Sequence, residues 1–342
     1  MKKLVLILIL FIGASVSKAQ DIHYSQFYAS PLTLNPALTG INDCNYRVGI
    51  MYRNQWHSVT PTTAFTTPSI SFDINNLAAR HLKVGVLSAG LLVLNDKAGD
   101  GDLSNLTIMA SGAYLYSLDS KKKFNISVGI QTGYVQKRID FSKLNFEEEY
   151  SSALGVFIDN PTISDIKNIK GSFGYLNFNT GLVFLAHLSP KADFYFGAAA
   201  FDLIQPKETF YNGLNKLNTR PVLHAGGKFQ LNDAWSIIPS VLFMKQSKDK
   251  EINFGTNFGY HISNANMEAN IYFGGYYRLK DAANVLIGGE YNKVRLGLSY
   301  DVNVSTLNNA TNNKGGFELS LTYTGCLGGL ILDPPILWCP RF

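Results

Sequence analysis

The sequence predicts an all-β protein: a transmembrane barrel of the bacterial outer-membrane type, with about 14 antiparallel strands and an N-terminal plug-like segment. Three observations carry that expectation. Long segments alternate apolar and polar residues with a period of two. Their polar faces hold Gly, Asn, Gln, Glu and Arg but little Lys, which suits an internal network better than open water. Aromatic residues recur at segment ends, at Tyr114, Tyr116, Trp235, Tyr276 and Tyr277, as an interfacial girdle would.

In chain order, residues 1–19 read as a signal peptide. Lys2 and Lys3 form a charged start, Leu4 to Ile12 an apolar core, and Ser17-Lys18-Ala19 a small-residue cleavage site. Residues 20–44 are aromatic and turn-rich. Pro31 and Pro36 each remove a backbone donor and fix φ, so this stretch is not a strand. It reads as a plug packed against whatever the strands build, or as an ordinary ordered N-terminal arm.

Residues 45–325 read as the barrel. Phe124, Ile126, Val128 and Ile130 alternate with Asn125, Ser127, Gly129 and Gln131. Val294, Leu296, Leu298 and Tyr300 oppose Arg295, Gly297, Ser299 and Asp301. Strands are expected at 45–53, 64–74, 83–95, 103–117, 123–139, 172–186, 193–202, 219–231, 234–245, 250–262, 267–279, 283–291, 293–303 and 315–325. A soluble sandwich would give the same alternation, but these segments exceed the usual soluble strand of about five or six residues. Short connections alternate with long ones, as periplasmic turns and external loops do, which places both chain ends in the periplasm. The longest connection, 140–171, carries the acidic run Glu147-Glu148-Glu149. Residues 326–342 form a C-terminal tail.

Composition excludes several classes. Of 342 residues only 16% are charged, against about 25% in typical globular domains. Without Lys2, Lys3 and Lys18 the chain holds 27 basic and 25 acidic residues, too balanced for nucleic-acid binding. The six histidines, His23, His57, His81, His187, His224 and His261, lie at no metal-ligand spacing. Asp96, Asp100, Asp102 and Ser104 lack the glutamate that closes a calcium loop. No Gly-x-Ser-x-Gly occurs. The chain therefore reads as a non-enzyme without cofactor or metal.

The cysteines Cys44, Cys326 and Cys339 allow one disulfide. Cys44 opens the first strand and Cys326 closes the last, so barrel closure brings them together; Cys339 returning to Cys326 is the alternative. Glu268, Arg278, Glu290, Arg295, Asp301 and Glu318 fall on the polar faces of the last strands. They form either a structural lumen network or a selective pore lining.

The ordered set HYSQFY (23–28), LNPALTG (34–40), YRNQW (52–56), VLNDKAG (93–99), HAGGK (224–228), LIGGEY (286–291), SYDVNVSTL (299–307), FELSLTY (317–323) and CPRF (339–342) closely resembles the PorP/SprF family. These are outer-membrane proteins associated with the type IX secretion system and gliding machinery of Bacteroidota. Asn35-Pro36-Ala37 also looks like the NPA element of FadL-type hydrophobic transport barrels, whose N-terminal segment forms a hatch in the lumen. The resemblance implies partners in the outer-membrane lipid and in a secreted adhesin C-terminal domain, in secretion components, or in both. A transport channel for small or hydrophobic solutes is the competing function. Under the plug reading, Tyr24, Phe27, Tyr28, Leu34, Asn35 and Pro36 are the plug or partner residues. One departure stands out: 326–338, CLGGLILDPPILW, is apolar where many relatives are basic.

Overall fold

The computed structural model describes residues 23–56, 64–77, 85–144, 150–151, 156–157, 170–211, 213, 215–264, 267–305 and 311–327. Fourteen long strands close one antiparallel barrel. They are β1 (Tyr46–Gln55), β2 (Phe65–Ile74), β3 (Val86–Ala98), β4 (Leu103–Ser117), β5 (Phe124–Arg138), β8 (Ser172–Ser189), β9 (Ala192–Phe201), β10 (Arg220–Gln230), β11 (Trp235–Gln246), β12 (Asp249–Asn264), β13 (Met267–Arg278), β14 (Ala282–Tyr291), β15 (Val294–Asn303) and β16 (Lys314–Gly325). Two further strands, β6 (Tyr150–Ser151) and β7 (Val156–Phe157), form a small separate hairpin in the longest connection. The period-two pattern does not reveal that pair, because two residues carry no period.

Closure is made by β1 and β16, which pair from Tyr46 opposite Gly325 to Gln55 opposite Gly316. Full closure leaves no strand edge for the bilayer to leave unsatisfied. Among the described residues no helix is long and apolar enough to cross a membrane, so the crossing elements are the strands. Their outward faces are apolar: Ile50, Ile70, Leu91, Ile130, Leu176 and Ile287 all point away from the protein. Aromatic clusters mark both ends of this apolar belt. Trp235 meets Tyr260 (4.8 Å) and Phe273 (6.0 Å) at one end, and Trp56 meets Phe65 (5.1 Å) at the other.

The two ends differ. One carries tight turns, such as Asn292–Lys293, both at positive φ, as a two-residue hairpin with primed turn geometry requires. It also carries the disulfide Cys44–Cys326, the pairing expected from barrel closure. The other end carries the long loops, including 139–171 and 202–219.

Residues 23–44 form no strand. A single helical turn, α1 (Pro31–Leu34), lies between 3-10 turns at Phe27–Ala29 and Pro36–Leu38. Pro31 and Pro36 each open their turn, where a missing N–H costs nothing. This segment runs down the lumen. It starts with His23 beside Glu251 near the long-loop end, and finishes with Asn75 Nδ2 donating to the Cys44 carbonyl at the short-turn end. The expectation that both chain ends leave from the short-turn end therefore fits the end of β16, whereas the first described residues lie near the opposite mouth. The signal peptide, His57, His81, the Glu147-Glu148-Glu149 run, Cys339 and the tail from 328 onward lie outside the described residues.

Candidate functional site

The lumen-filling segment is held at three levels. At the long-loop level it meets charge. Glu318 accepts the backbone N–H groups of Ser25 (2.7 Å) and Gln26 (2.8 Å). Arg53 Nη1 donates to the same carboxylate at 2.5 Å, and Arg53 Nη2 lies 3.4 Å from Asp301. Asp301 also accepts from the Ser25 hydroxyl (2.7 Å), Arg278 Nη2 (2.9 Å) and Asn284 Nδ2 (2.6 Å). Arg53, Arg278, Asp301 and Glu318 are all buried. Two cations and two anions thus face one another, and each also bonds the segment's backbone or the Ser25 hydroxyl, while Arg53 further reaches Gln55 and Arg278 further reaches Asp281.

Glycine gaps and amides define the middle level. Asn35, fully buried, donates through Nδ2 toward the carbonyls of Leu182 and Ala198 (3.2 Å each), with His224 Nε2 at 3.0 Å, while its Oδ1 accepts the Ala37 N–H at 2.9 Å. One side chain thus ties the turn to β8, β9 and β10. The approach requires missing side chains. A Cβ at Gly181 would lie 1.9 Å from Asn35 Oδ1, and one at Gly129 would lie 2.4 Å from the Ala37 nitrogen. Ser127 and Gln131, inward-facing on β5, donate to the carbonyls of Ala37 (2.7 Å) and Leu32 (3.1 Å).

A salt bridge anchors the short-turn level. Arg47 grips Asp73 with two bonds of 2.9 and 2.7 Å and donates to the carbonyls of Ile41 and Leu38. Asp73 in turn accepts the Gly40 N–H at 2.6 Å.

The six plug candidates all lie in the lumen. The Tyr24 hydroxyl donates to Ser69 Oγ at 2.9 Å beside Met51 and Leu94. Phe27 and Tyr28 pack on Tyr276 at centroid distances of 5.9 and 5.6 Å. Tyr276 therefore faces inward, and its place in the aromatic girdle is a correction to the sequence reading. Leu34 joins an apolar cluster with Val183, Ile238 and Leu242, and Pro36 sits against Gly129 and Gly181.

Of the six expected lumen charges, Arg278, Asp301 and Glu318 meet in one network. Glu290 and Arg295 form a separate cross-strand pair at 2.6 Å, with the Tyr272 hydroxyl donating to Glu290. Glu268 stands apart: it is exposed, one residue into β13 at the short-turn end, where the strand has left the lumen. Arg53, Arg47, Asp73, Glu251 and His224 were missed. Arg53 and Arg47 had a signal, because both fall on the polar face of the first alternating segment. His224 had none beyond its place in the HAGGK motif. Elsewhere, Asp96 accepts from Thr67, Asp102 pairs with Lys143, and His187 pairs with Asp193.

Two spaces flank the segment. The larger, about 280 Å³, opens on the long-loop side above Leu32 and Thr33. The smaller, about 70 Å³, lies on the short-turn side beside Tyr28, Arg47, Glu290 and Arg295.

A closed 14-strand antiparallel barrel with an apolar outer belt and an occupied lumen defines a transmembrane β-barrel of the outer-membrane type. The chain belongs to the type IX secretion system membrane protein PorP/SprF family, whose profile matches residues 16–323. No curated protein matches it. Among solved structures, the toluene transporter TbuX of Ralstonia pickettii is 11% identical, with a TM-score of 0.48 over 85% of this chain and 91% of that one. The toluene transporter TodX of Pseudomonas putida is 12% identical, with a TM-score of 0.47 over 86% and 92%. The KdgM porin is 9% identical, with a TM-score of 0.37 over 82% and 99%.

Proposed function

We propose that this protein is a closed docking barrel of the type IX secretion system. It sits in the outer membrane with the short-turn end toward the periplasm. There it binds, helps to export or anchors a secreted surface adhesin on the long-loop side, and offers its short-turn end to secretion or gliding components. The role is non-enzymatic, and lipid is its surrounding partner. The observation that carries this reading is the lumen itself, crossed from one end to the other by residues 23–44 and cross-linked to strands on opposite walls. A barrel so filled presents two surfaces rather than a path. Transport of small or hydrophobic solutes is the second reading. It draws on the 280 Å³ space and requires the segment to move.

The test is co-purification of the native barrel from cross-linked cells with identification of its partners, alongside the surface proteome of a deletion strain. Recovery of a secreted surface protein or a secretion component, and its loss from the surface on deletion, is the expected result. An unchanged surface proteome with solute uptake lost on deletion would move the transport reading ahead.

A further inference from the structure

The 280 Å³ chamber on the long-loop side is not used by the contacts described so far. Its floor is α1: Leu32 is fully buried there, packed with Leu92, Met109 and Val135 and flanked by Tyr175. These side chains point into the barrel, where an open pore would wet them. Three of the amides facing the chamber are already committed to neighbouring side chains. Asn179 Nδ2 donates to Gln131 Oε1 at 2.8 Å, and Asn177 Nδ2 donates to Asp202 Oδ1 at 2.6 Å. At the mouth, Lys137 of β5 pairs with Glu208 of the 202–219 loop. The chamber thus offers apolar contact within a polar rim, the arrangement by which protein interfaces seat an anchor side chain.

Two features separate a socket from a passage. Below the floor, Gln131 holds the Leu32 carbonyl and Asn35 ties the next turn to three strands, so an occupant entering from the loops meets a closed end. The volume also falls just under the range of about 300–1,000 Å³ common for small-molecule pockets. It suits one or two large side chains.

We infer that the long-loop chamber is a dead-end socket for a bulky, uncharged apolar side chain, aromatic or leucine-like, of the secreted polypeptide held on that side of the barrel. The inference rests on the docking reading above and adds where the partner is gripped and by what chemistry.

The experiment uses full-length protein in nanodiscs, with Cys339→Ser to remove the third cysteine and Thr107→Cys as a reporter in the chamber wall. N-acetyl-tryptophanamide is the probe, with toluene as the free-hydrocarbon comparison and Thr324→Cys as a reporter on the short-turn side. The probe should slow thiol modification at position 107 several-fold and saturably, and leave position 324 unchanged. Met109→Trp or Leu92→Trp, which fill the chamber, should abolish that protection. In cells the same two variants should insert normally, judged by heat-modifiable migration, yet retain several-fold less surface partner. Equal or absent protection at both reporters would overturn the inference. So would protection by toluene alone, which would favour a free hydrocarbon. Wild-type partner retention by both filled variants, with retention still lost on deletion of the whole protein, would overturn the socket and leave the docking function standing. Retention that survives whole-protein deletion would remove the docking reading instead.

Discussion

Ser25–Gln26 and Asn35–Ala37 are two footholds of one chain in one lumen, and they are held in opposite ways. At the first, four buried charges from β1, β13, β15 and β16 converge on two backbone N–H groups and a hydroxyl. At the second, no charge takes part; a neutral amide reaches three strands because glycines leave it room. A charge network tolerates small changes of shape but not the loss of one partner, since the remaining charge is buried unpaired. A close-packed turn tolerates no added volume. The first foothold should thus fail by truncation and the second by enlargement.

The largest effect tests both together. Removing residues 23–40 should leave a barrel that inserts, because strand pairing and the outer apolar faces are untouched. Its lumen should open, since about eight strands is the limit that side chains alone can fill. Single-channel conductance in planar bilayers should rise from near silence to that of an open pore. If the intact protein conducts as freely as the deletion, the segment is not a plug.

Glu318→Ala comes next. It removes the nearer of the two carboxylates facing Arg53, leaving Asp301 at 3.4 Å, and strands the Ser25 and Gln26 N–H groups, at an expected cost of about 3–5 kcal/mol. The measurement is the urea midpoint of unfolding, followed by gel migration. The near-isosteric Glu318→Gln should cost almost as much; a harmless Gln would show that shape rather than charge holds this foothold.

Gly129→Ala probes the other foothold. The added methyl meets backbone rather than a movable side chain, at an expected cost of about 1–3 kcal/mol. Asn35→Ala, which adds no volume but leaves His224 and two carbonyls without their donor, should fall in a similar range. Combined with Glu318→Ala, either change should be nearly additive, because the footholds share no side chain. Strong coupling would mean that the segment releases as one unit.

The smallest structural effect is expected from Cys44→Ser. The β1–β16 seam is held by a ten-residue register in addition to the disulfide, so the barrel should stay closed and non-conducting. Alkylation followed by mass spectrometry should find one reactive thiol in the oxidised wild-type chain and three after reduction. Three thiols before reduction would contradict the bridge.

The sequence by itself determined the barrel. A period of two sustained over ten or more residues assigns each side chain to lipid or lumen, and strand number and ends followed within a few residues, from 103–117 unchanged to 172–186 lengthened to Ser189. It also marked residues 20–44 as something other than a strand, through Pro31 and Pro36. It did not decide what stands opposite what inside. Glu268 and Arg278 lie on one strand and read alike, yet one is exposed at a turn and the other is locked to Asp301. Leu92 and Met109 face inward without breaking any rule of a polar lumen, because α1 covers them. His224 became a partner of Asn35 across 189 residues of chain. Alternation along a strand reports which face a residue takes. Which partner it meets across the lumen depends on how the barrel closes and on the path of the segment inside it, and neither is a local property of the chain.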